Sequence, residues 1–112
     1  MPVDVIVLPK ADDERQSLPR VERLALDHAI EKLKALGDQL GYPHSSNVRG
    51  AQRLRELRPR GGRSPWRAFY RRVGAVIVVA AIGPEAQVDP RGFDRTVATA
   101  VQRLSIWERE TR

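Results

Sequence analysis

The sequence predicts an α+β domain in which a small antiparallel sheet of about four strands packs against an N-terminal and a C-terminal helix. Apolar residues recur every three or four positions in two segments, one on each side of the middle of the chain. Short apolar runs broken by glycine and proline lie between these segments, as is typical of strands and turns. With 112 residues the chain can build one hydrophobic core, so we expect a single domain over residues 1–112.

A strand, a helical turn and a long helix are predicted in the N-terminal part. Residues 3–8 form a β-branched run that suits a first strand, and residues 12–16 can form a short helical turn. Leucine and isoleucine then recur at helical spacing, and Pro19 suits the first turn of a helix. We therefore expect a helix over about residues 19–40, with Gly37 or Gly41 at its end.

Three consecutive strands are predicted in the middle of the chain. Residues 41–47 are rich in turn-forming residues and predict a loop. Residues 54–58 and 66–73 suit two strands of a hairpin, joined by a flexible turn over residues 59–65. Residues 75–82 are almost continuously apolar, which is typical of a central strand or of one covered on both faces.

The last strand and the second helix have clear end signals. Gly83-Pro84 is expected to stop the strand, and Asp89-Pro90 has the form of a helix N-cap followed by proline. The apolar spacing that follows predicts a C-terminal helix of about 18 residues. Strands joined by short turns should pair antiparallel, and we expect the helices to pack on one face of the sheet.

Positive charge is concentrated in the middle of the chain. Residues 49–72 contain nine arginines, no lysine and one acid, Glu56, whereas the whole chain has a formal charge of +6. Guanidinium groups can bind a phosphate through two parallel hydrogen bonds, so this segment predicts a surface for nucleic acid. The same arginines could also reflect an arginine-rich composition, or charge that protects an exposed strand from aggregation.

Strand alternation distributes these arginines over the predicted sheet. Glu56 and Arg58 share one face of their strand, and Arg67 and Arg71 share one face of the next. At least two arginines should therefore lie on or beside the sheet. Arg60 and Arg63 instead flank the glycine pair of the turn, where we expect them to be mobile.

Several single residues have both a chemical and a structural interpretation. Glu56 could act as a general base or neutralise its arginine neighbours. Tyr70 could stack on a base or contact a phosphate, or be a half-buried strand residue. Glu85 follows the most apolar strand and is either functional or part of a simple turn, and Asp89 is best explained as a helix cap.

The composition also excludes several classes of protein. There is no cysteine, which removes disulfides and thiol catalysis and fits a cytoplasmic protein. His28 and His44 lack metal-ligand spacing, so we expect no metal site. No apolar run approaches the ~18 residues of a membrane span, and the N-terminus lacks the features of a signal peptide.

Three runs of residues resemble a known family. Leu54-Arg55-Glu56-Leu57-Arg58, then Trp66-Arg67-Ala68-Phe69-Tyr70-Arg71, then Val76-Ile77-Val78-Val79 are similar to the RelE/ParE toxin superfamily, and most of all to its HigB-like, phage-derived branch. The similarity extends from the first long helix to the last. It implies the toxin of a type II toxin–antitoxin system that cleaves messenger RNA on the ribosome, without metal or cofactor.

The resemblance also implies site residues and partners. The expected partners are an antitoxin, the ribosome and messenger RNA, with no membrane. The catalytic candidates are Arg67, Arg58, Tyr70 and Glu56. The candidates for RNA binding are Arg60, Arg63, Arg71 and Arg55.

One departure from the family pattern affects the predicted chemistry. HigB-like members usually follow the last strand with a segment containing histidine, an aromatic residue and two lysines, but residues 80–86 contain none of these. Proton transfer would then depend on Glu56, Glu85, Tyr70 or the arginines, and arginine hardly deprotonates. A ParE-like toxin that inhibits gyrase without catalysis, and a non-toxic domain that binds nucleic acid, therefore stay open.

Overall fold

The computed structural model describes residues 2–111 and contains three helices and a five-stranded sheet. The first half of the chain forms β1 (Asp4–Val7), α1 (Pro9–Gln16), α2 (Arg20–Leu36) and a 3-10 turn (Gly37–Gln39). The second half forms β2 (Ser45–Asn47), β3 (Arg55–Leu57), a 3-10 turn (Pro59–Gly62), β4 (Trp66–Val73), β5 (Val76–Pro84) and α3 (Pro90–Glu110). The predicted α+β class is confirmed.

The strands are ordered β1-β5-β4-β3-β2 across the sheet. The three consecutive strands β3, β4 and β5 pair antiparallel, as expected, but β1 runs parallel to β5, so the sheet is mixed. This order makes β5 a central strand, paired with β1 along one edge and with β4 along the other.

Helices cover both faces of the sheet, so the prediction of a single covered face was wrong. Successive side chains of β5 point to opposite sides. Ile77 and Val79 pack in a core with Leu26, Leu33 and other residues of α2. Val78 and Ala80 pack in a second core, which includes Ala11 of α1 and Ala100 and Leu104 of α3.

Two strand boundaries differ from the prediction. β2 lies inside the expected loop, because Ser45-Ser46-Asn47 has no apolar pattern and becomes a strand only by pairing with β3. β5 continues through Gly83 and Pro84, which pair with Arg67 and Trp66 of β4. A proline at the last position of a strand removes only one donor from the ladder, so it does not stop the pairing.

The helix boundaries follow from local chemistry. α2 ends at Leu36 because Gly37 has φ +54°, and a Cβ atom there would lie 2.6 Å from Val3 Cγ2. α3 begins as predicted: Asp89 caps the helix, since its Oδ1 accepts a hydrogen bond of 2.9 Å from the Gly92 amide. The helix has 21 residues, slightly more than expected.

The pairing of β4 with β5 contains a register shift. An ion pair between α1 and α3 forms hydrogen bonds with the backbone of β5 at this point. Phe69 and Tyr70 of β4 pair with Ala81 and Val79, which leaves Ala80 without an opposite residue. The Ala80 carbonyl accepts from Arg103 Nη1 at 2.9 Å, and the Ile82 amide donates to Glu14 Oε1 at 3.0 Å. Arg103 and Glu14 also bind each other through two hydrogen bonds, of 3.0 and 2.9 Å. The pair therefore attaches both helices to the sheet.

Candidate functional site

Acidic residues neutralise much of the arginine-rich segment. Within residues 2–111, five of the nine arginines form ion pairs: Arg58 with Glu56, Arg60 with Glu22, Arg67 with Glu56 and Glu85, Arg71 with Glu108, and Arg72 with Asp38. Only one of these acids, Glu56, belongs to the segment itself. The formal charge of the segment therefore overstates the charge that is free to bind an anion.

Arg67 is buried at the end of the sheet, with 2% of its side chain exposed. Its Nη1 donates to the carbonyls of Ser64 and Trp66, at 2.6 and 3.0 Å. Its Nη2 donates to the Gly62 carbonyl at 3.3 Å and to Glu85 Oε2 at 3.5 Å. In this conformation the guanidinium holds protein oxygens and does not face solvent. The role of Arg67 as a phosphate ligand stays a prediction, and the burial of its side chain argues against that role.

Burial determines the electrostatics of Arg67. Loss of solvation, and next the nearby charge of Arg58, lower the pKa of Arg67, whereas Glu56 and Glu85 act in the opposite direction. Arg67 Nε lies 3.4 Å from Glu56 Oε1 but makes no hydrogen bond. Glu56 and Glu85 thus compensate the charge of the buried Arg67 guanidinium. A charge that has been removed from water needs such a partner.

Glu56 joins this buried group to the surface. Its Oε1 accepts a hydrogen bond of 3.0 Å from Arg58 Nη1, and Arg58 Nε donates to the Pro43 carbonyl at 2.9 Å. The Arg58 guanidinium also lies 5.1 Å from the centre of the exposed Tyr42 ring. Glu56 is itself buried, so the structure favours its neutralising interpretation over that of a free general base. Arg58, in contrast, is partly exposed.

The turn between β3 and β4 is more ordered than the sequence suggested. Arg60, Gly61 and Gly62 all have positive φ, which is uncommon for the arginine. Glu22 of α2 holds the turn: its Oε1 lies 2.8 Å from Arg60 Nη2 and accepts from Ser64 Oγ, also at 2.8 Å. Arg60 is therefore anchored rather than mobile. Arg63 is exposed, with its Nε bonded to the Arg60 carbonyl at 3.1 Å.

Tyr70 lies on the opposite face of the sheet from Glu56 and Arg67. It packs in the core beneath α2, is 4% exposed, and its hydroxyl is bonded to Ser45 Oγ. Arg55 Nε donates to the same Ser45 oxygen at 2.9 Å. The structure therefore does not bring Tyr70 together with the other catalytic candidates, and its proton-transfer role stays a prediction.

Two further RNA-binding candidates also have protein partners. Arg55 Nη1 donates to Asn47 at 2.7 Å on the edge strand. Arg71 binds Glu108 of α3 and the Gln52 carbonyl. Their roles in RNA binding stay predictions.

A groove of about 430 Å³ lies between α2, the segment that leads into β2, and the end of β3 with the turn that follows it. Its apolar lining comes from Val21, Leu24, Ala25, Ala29, Leu40 and Leu57. Its polar lining comes from His28, Lys32, His44, Arg58 and Arg60. Every charged side chain in this lining is basic, and both histidines of the chain are part of it.

The sequence did not predict that side chains of α2 would line one groove together with His44 and Arg58. Val21, His28 and Lys32 follow one another at multiples of the helical repeat, so their common face could be read from the sequence. That His44 and Arg58 meet this face depends on how the chain returns after α2, for which no local pattern exists. Glu22 was missed for the same reason.

Two kinds of site are absent from the described part of the chain. No group of three or more histidine, cysteine or carboxylate side chains within residues 2–111 could hold a metal ion. Among the same residues, no helix has both the length and the apolar character needed to cross a bilayer.

Comparison with known proteins gives one family match. A family model described as phage-derived protein Gp49-like (DUF891) matches residues 13–83, which is more than half of the chain. No curated protein matches the sequence.

Several solved structures share the fold. A mutant of the E. coli toxin RelE in the free state has a TM-score of 0.66 and 17% identity, with 92% of this chain and 98% of that chain covered. RelE in the intact E. coli RelBE toxin–antitoxin complex has a TM-score of 0.58 and 18% identity, over 74% and 96% of the two chains. The archaeal RelE–RelB complex of Pyrococcus horikoshii gives a TM-score of 0.54 and 20% identity, over 75% and 96%. At these identities the likeness is one of fold.

Proposed function

Because this chain belongs to the family of phage-derived Gp49-like proteins, we propose that it is the toxin of a type II toxin–antitoxin pair. The RelE proteins that share its fold are toxins, and two of them were solved in complex with RelB antitoxin. The partner of this chain is then an antitoxin that binds its basic surface through an acidic or amphipathic segment. Such complementary charge speeds association, and the effect weakens with salt.

The proposed activity is ribosome-dependent, metal-independent cleavage of messenger RNA. One observation supports it most: Arg58, Arg60 and Arg63 lie at one end of the sheet and keep part of their side chains exposed. In such cleavage the 2′-hydroxyl attacks the adjacent phosphorus, and negative charge accumulates on the phosphoryl oxygens. Fixed cationic donors stabilise that charge because they need no reorganisation during the reaction.

The three arginines are suited to this task to different degrees. Arg58 is the best candidate for the phosphoryl oxygens, since Glu56 and the Pro43 carbonyl fix its guanidinium. Arg60 is fixed by Glu22, and Arg63 extends the basic surface for the rest of the strand. Arg67 acts in this scheme as a positioning residue, because it shares Glu56 with Arg58.

A second candidate function is inhibition of gyrase by contact alone. The burial of Glu56 and Tyr70 favours it, because both of these candidates for proton transfer are already bonded to protein groups. A binding toxin needs the basic surface but no acid or base.

Expression in a bacterial host separates these functions. Growth arrest with cut messengers is the expected result, and co-expression of the antitoxin should relieve it. Arrest with intact messengers and a DNA-damage response would replace the nuclease by the gyrase inhibitor. Harmless expression of soluble protein would remove the toxin proposal.

Charge-matched variants link the effect to the surface. The triple variant R58Q/R60Q/R63Q should abolish arrest, whereas R49Q/R53Q/R72Q, which removes the same charge elsewhere in the arginine-rich segment, should not. Thermal unfolding of the purified variants controls for loss of fold. Full toxicity of a folded triple variant would contradict the role of these arginines.

A further inference from the structure

We propose that the groove between α2 and the β2–β3 region is a nucleotide site in which His28 and His44 transfer the two protons of RNA cleavage. This inference rests on the proposed endoribonuclease and supplies the acid–base pair that the sheet does not offer. The chain has only two histidines, and they are far apart in sequence, yet both line this one groove.

The lining matches the parts of a nucleotide. Val21, Leu24 and Leu57 are among the apolar residues that could cover the faces of a base. Lys32 and Arg58 are among the basic residues placed to bind phosphate. The volume of about 430 Å³ lies within the range of ordinary small-ligand sites, roughly 300–1,000 Å³.

The two histidines differ in their exposure and in the element that carries them. His28 is an exposed residue of α2, one helical turn after Leu24 and one before Lys32. His44 is partly buried, and its carbonyl accepts a hydrogen bond of 2.8 Å from the Arg58 amide, which connects it to the end of β3. The Arg58 Nε donates to the carbonyl of the adjacent Pro43 at 2.9 Å, so a phosphate bound by the Arg58 guanidinium would lie near His44.

The charge of the lining favours an anionic occupant. All charged residues of the lining are basic, and the nearby carboxylates, Glu22 and Glu56, are bound by Arg60, Arg58 and Arg67. An anion is therefore favoured over a cation. Two imidazoles beside an anion site suit a phosphodiester whose hydroxyl must lose a proton, because histidine is the side chain that most often acts as a general acid or base.

The chemical step balances with these two groups alone. One imidazole removes the proton of the 2′-hydroxyl while the 2′-oxygen forms a bond to the adjacent phosphorus. The bond from phosphorus to the 5′-oxygen breaks, and the imidazolium of the other histidine gives that oxygen a proton. The products are a 2′,3′-cyclic phosphate and a 5′-hydroxyl end, with no oxidant, reductant or metal required.

Binding is tested first, without ribosomes. The probe is a dinucleotide whose first sugar lacks the 2′-hydroxyl, so that it cannot be cut. It should shift the NMR signals of both imidazoles, and K32Q should weaken its binding several-fold, whereas the matched K34Q should not. Imidazole signals that do not move at saturation, or that move only with an acidic peptide of the antitoxin, would overturn the nucleotide site.

Catalysis is tested with ribosome-bound messenger. H28N and H44N should each reduce the cleavage rate about a hundredfold or more, with dinucleotide affinity little changed. E31Q, on the same helix but outside the groove, should cut like the wild type. Wild-type rates in H28N and H44N would overturn the proton-transfer roles and leave the proposed nuclease intact. A wild-type protein that cuts no messenger, yet binds the dinucleotide at both imidazoles, would reject the nuclease and retain the nucleotide site.

Discussion

Glu56 shows how much the role of a single residue depends on its neighbours. Strand alternation correctly places it on the same side of the sheet as Leu54, which packs with α3. That it serves two guanidinium groups, of Arg58 and Arg67, could not be read from its strand. The burial of Arg67 depends on Glu85 and on carbonyls of the preceding turn, which only the folded chain brings together.

Removal of the Arg67 side chain should therefore reduce stability strongly. R67A leaves Glu56 and Glu85 without a buried cation and should cost about 3–5 kcal/mol. R63A, which truncates an exposed arginine, should stay within about 0.5 kcal/mol of the wild type. Urea denaturation of both variants measures the difference. If R67A were as stable as R63A, the structural role of the buried Arg67 would be contradicted.

Among the elements, the two long helices and the β4–β5 hairpin could be predicted because their signals are local. β2 could not, since three polar residues become a strand only through their partner. The placement of helices on both faces also escaped prediction, although the apolar sequence of β5 is consistent with it. Periodicity shows which face of an element is buried, but not which element covers it.

The register shift in β5 allows a test of how α1 is attached. E14Q removes one charge from the pair with Arg103 and weakens the acceptor of the Ile82 amide, so it should cost about 1.5–3 kcal/mol. Hydrogen exchange at Ile82 should become faster, with smaller changes at Val78. D13N, an exposed neighbour, is the control. Unchanged exchange at Ile82 in E14Q would contradict this account.

The other contact of α1 should respond to acid. Arg15 donates hydrogen bonds to Asp12 and to Asp27 of α2, and its hydrogen bond lowers the pKa of Asp12. A lowered pKa in the folded state means that the stabilisation is present above the ordinary value of 3.8 and is lost as the pH falls through the folded value. The protection of the α1 amides, taken relative to the intrinsic exchange rate at each pH, should therefore fall below about pH 4. The loss of protection should be smaller in D12N, and an equal loss in both proteins would contradict it.

For the whole molecule, the predicted kinship with phage-derived proteins is confirmed by the family match, and the predicted RelE-like fold is confirmed by the solved structures. The site could be predicted only in part. The arginine-rich segment was visible in the sequence, but its partners Glu22, Glu108 and Asp38 come from distant elements. The histidine groove likewise exists only in the folded chain.

The net charge of +6 predicts RNA binding that depends on salt. For single strands the logarithm of affinity falls with the logarithm of salt concentration, by about 0.7 for each phosphate contact. R58Q/R60Q/R63Q should therefore reduce this slope by about two. R49Q/R53Q/R72Q removes the same charge elsewhere and should reduce it less. Equal slopes in the two triple variants, measured by fluorescence anisotropy, would show that the charge acts without a defined surface.

The parallel pairing of β1 with β5 has a consequence for the timing of synthesis. β1 precedes its partner by about seventy residues, with α1, α2 and three strands between them. Contacts between such distant segments form late, because the chain must lose much of its freedom before they contribute. During translation β1 leaves the ribosome early, and it stays unpaired until β5 has also left the ribosome. We therefore expect nascent chains that stop before residue 76 to lack β5 and the complete sheet, and with it the proposed activity, however complete their arginine-rich segment.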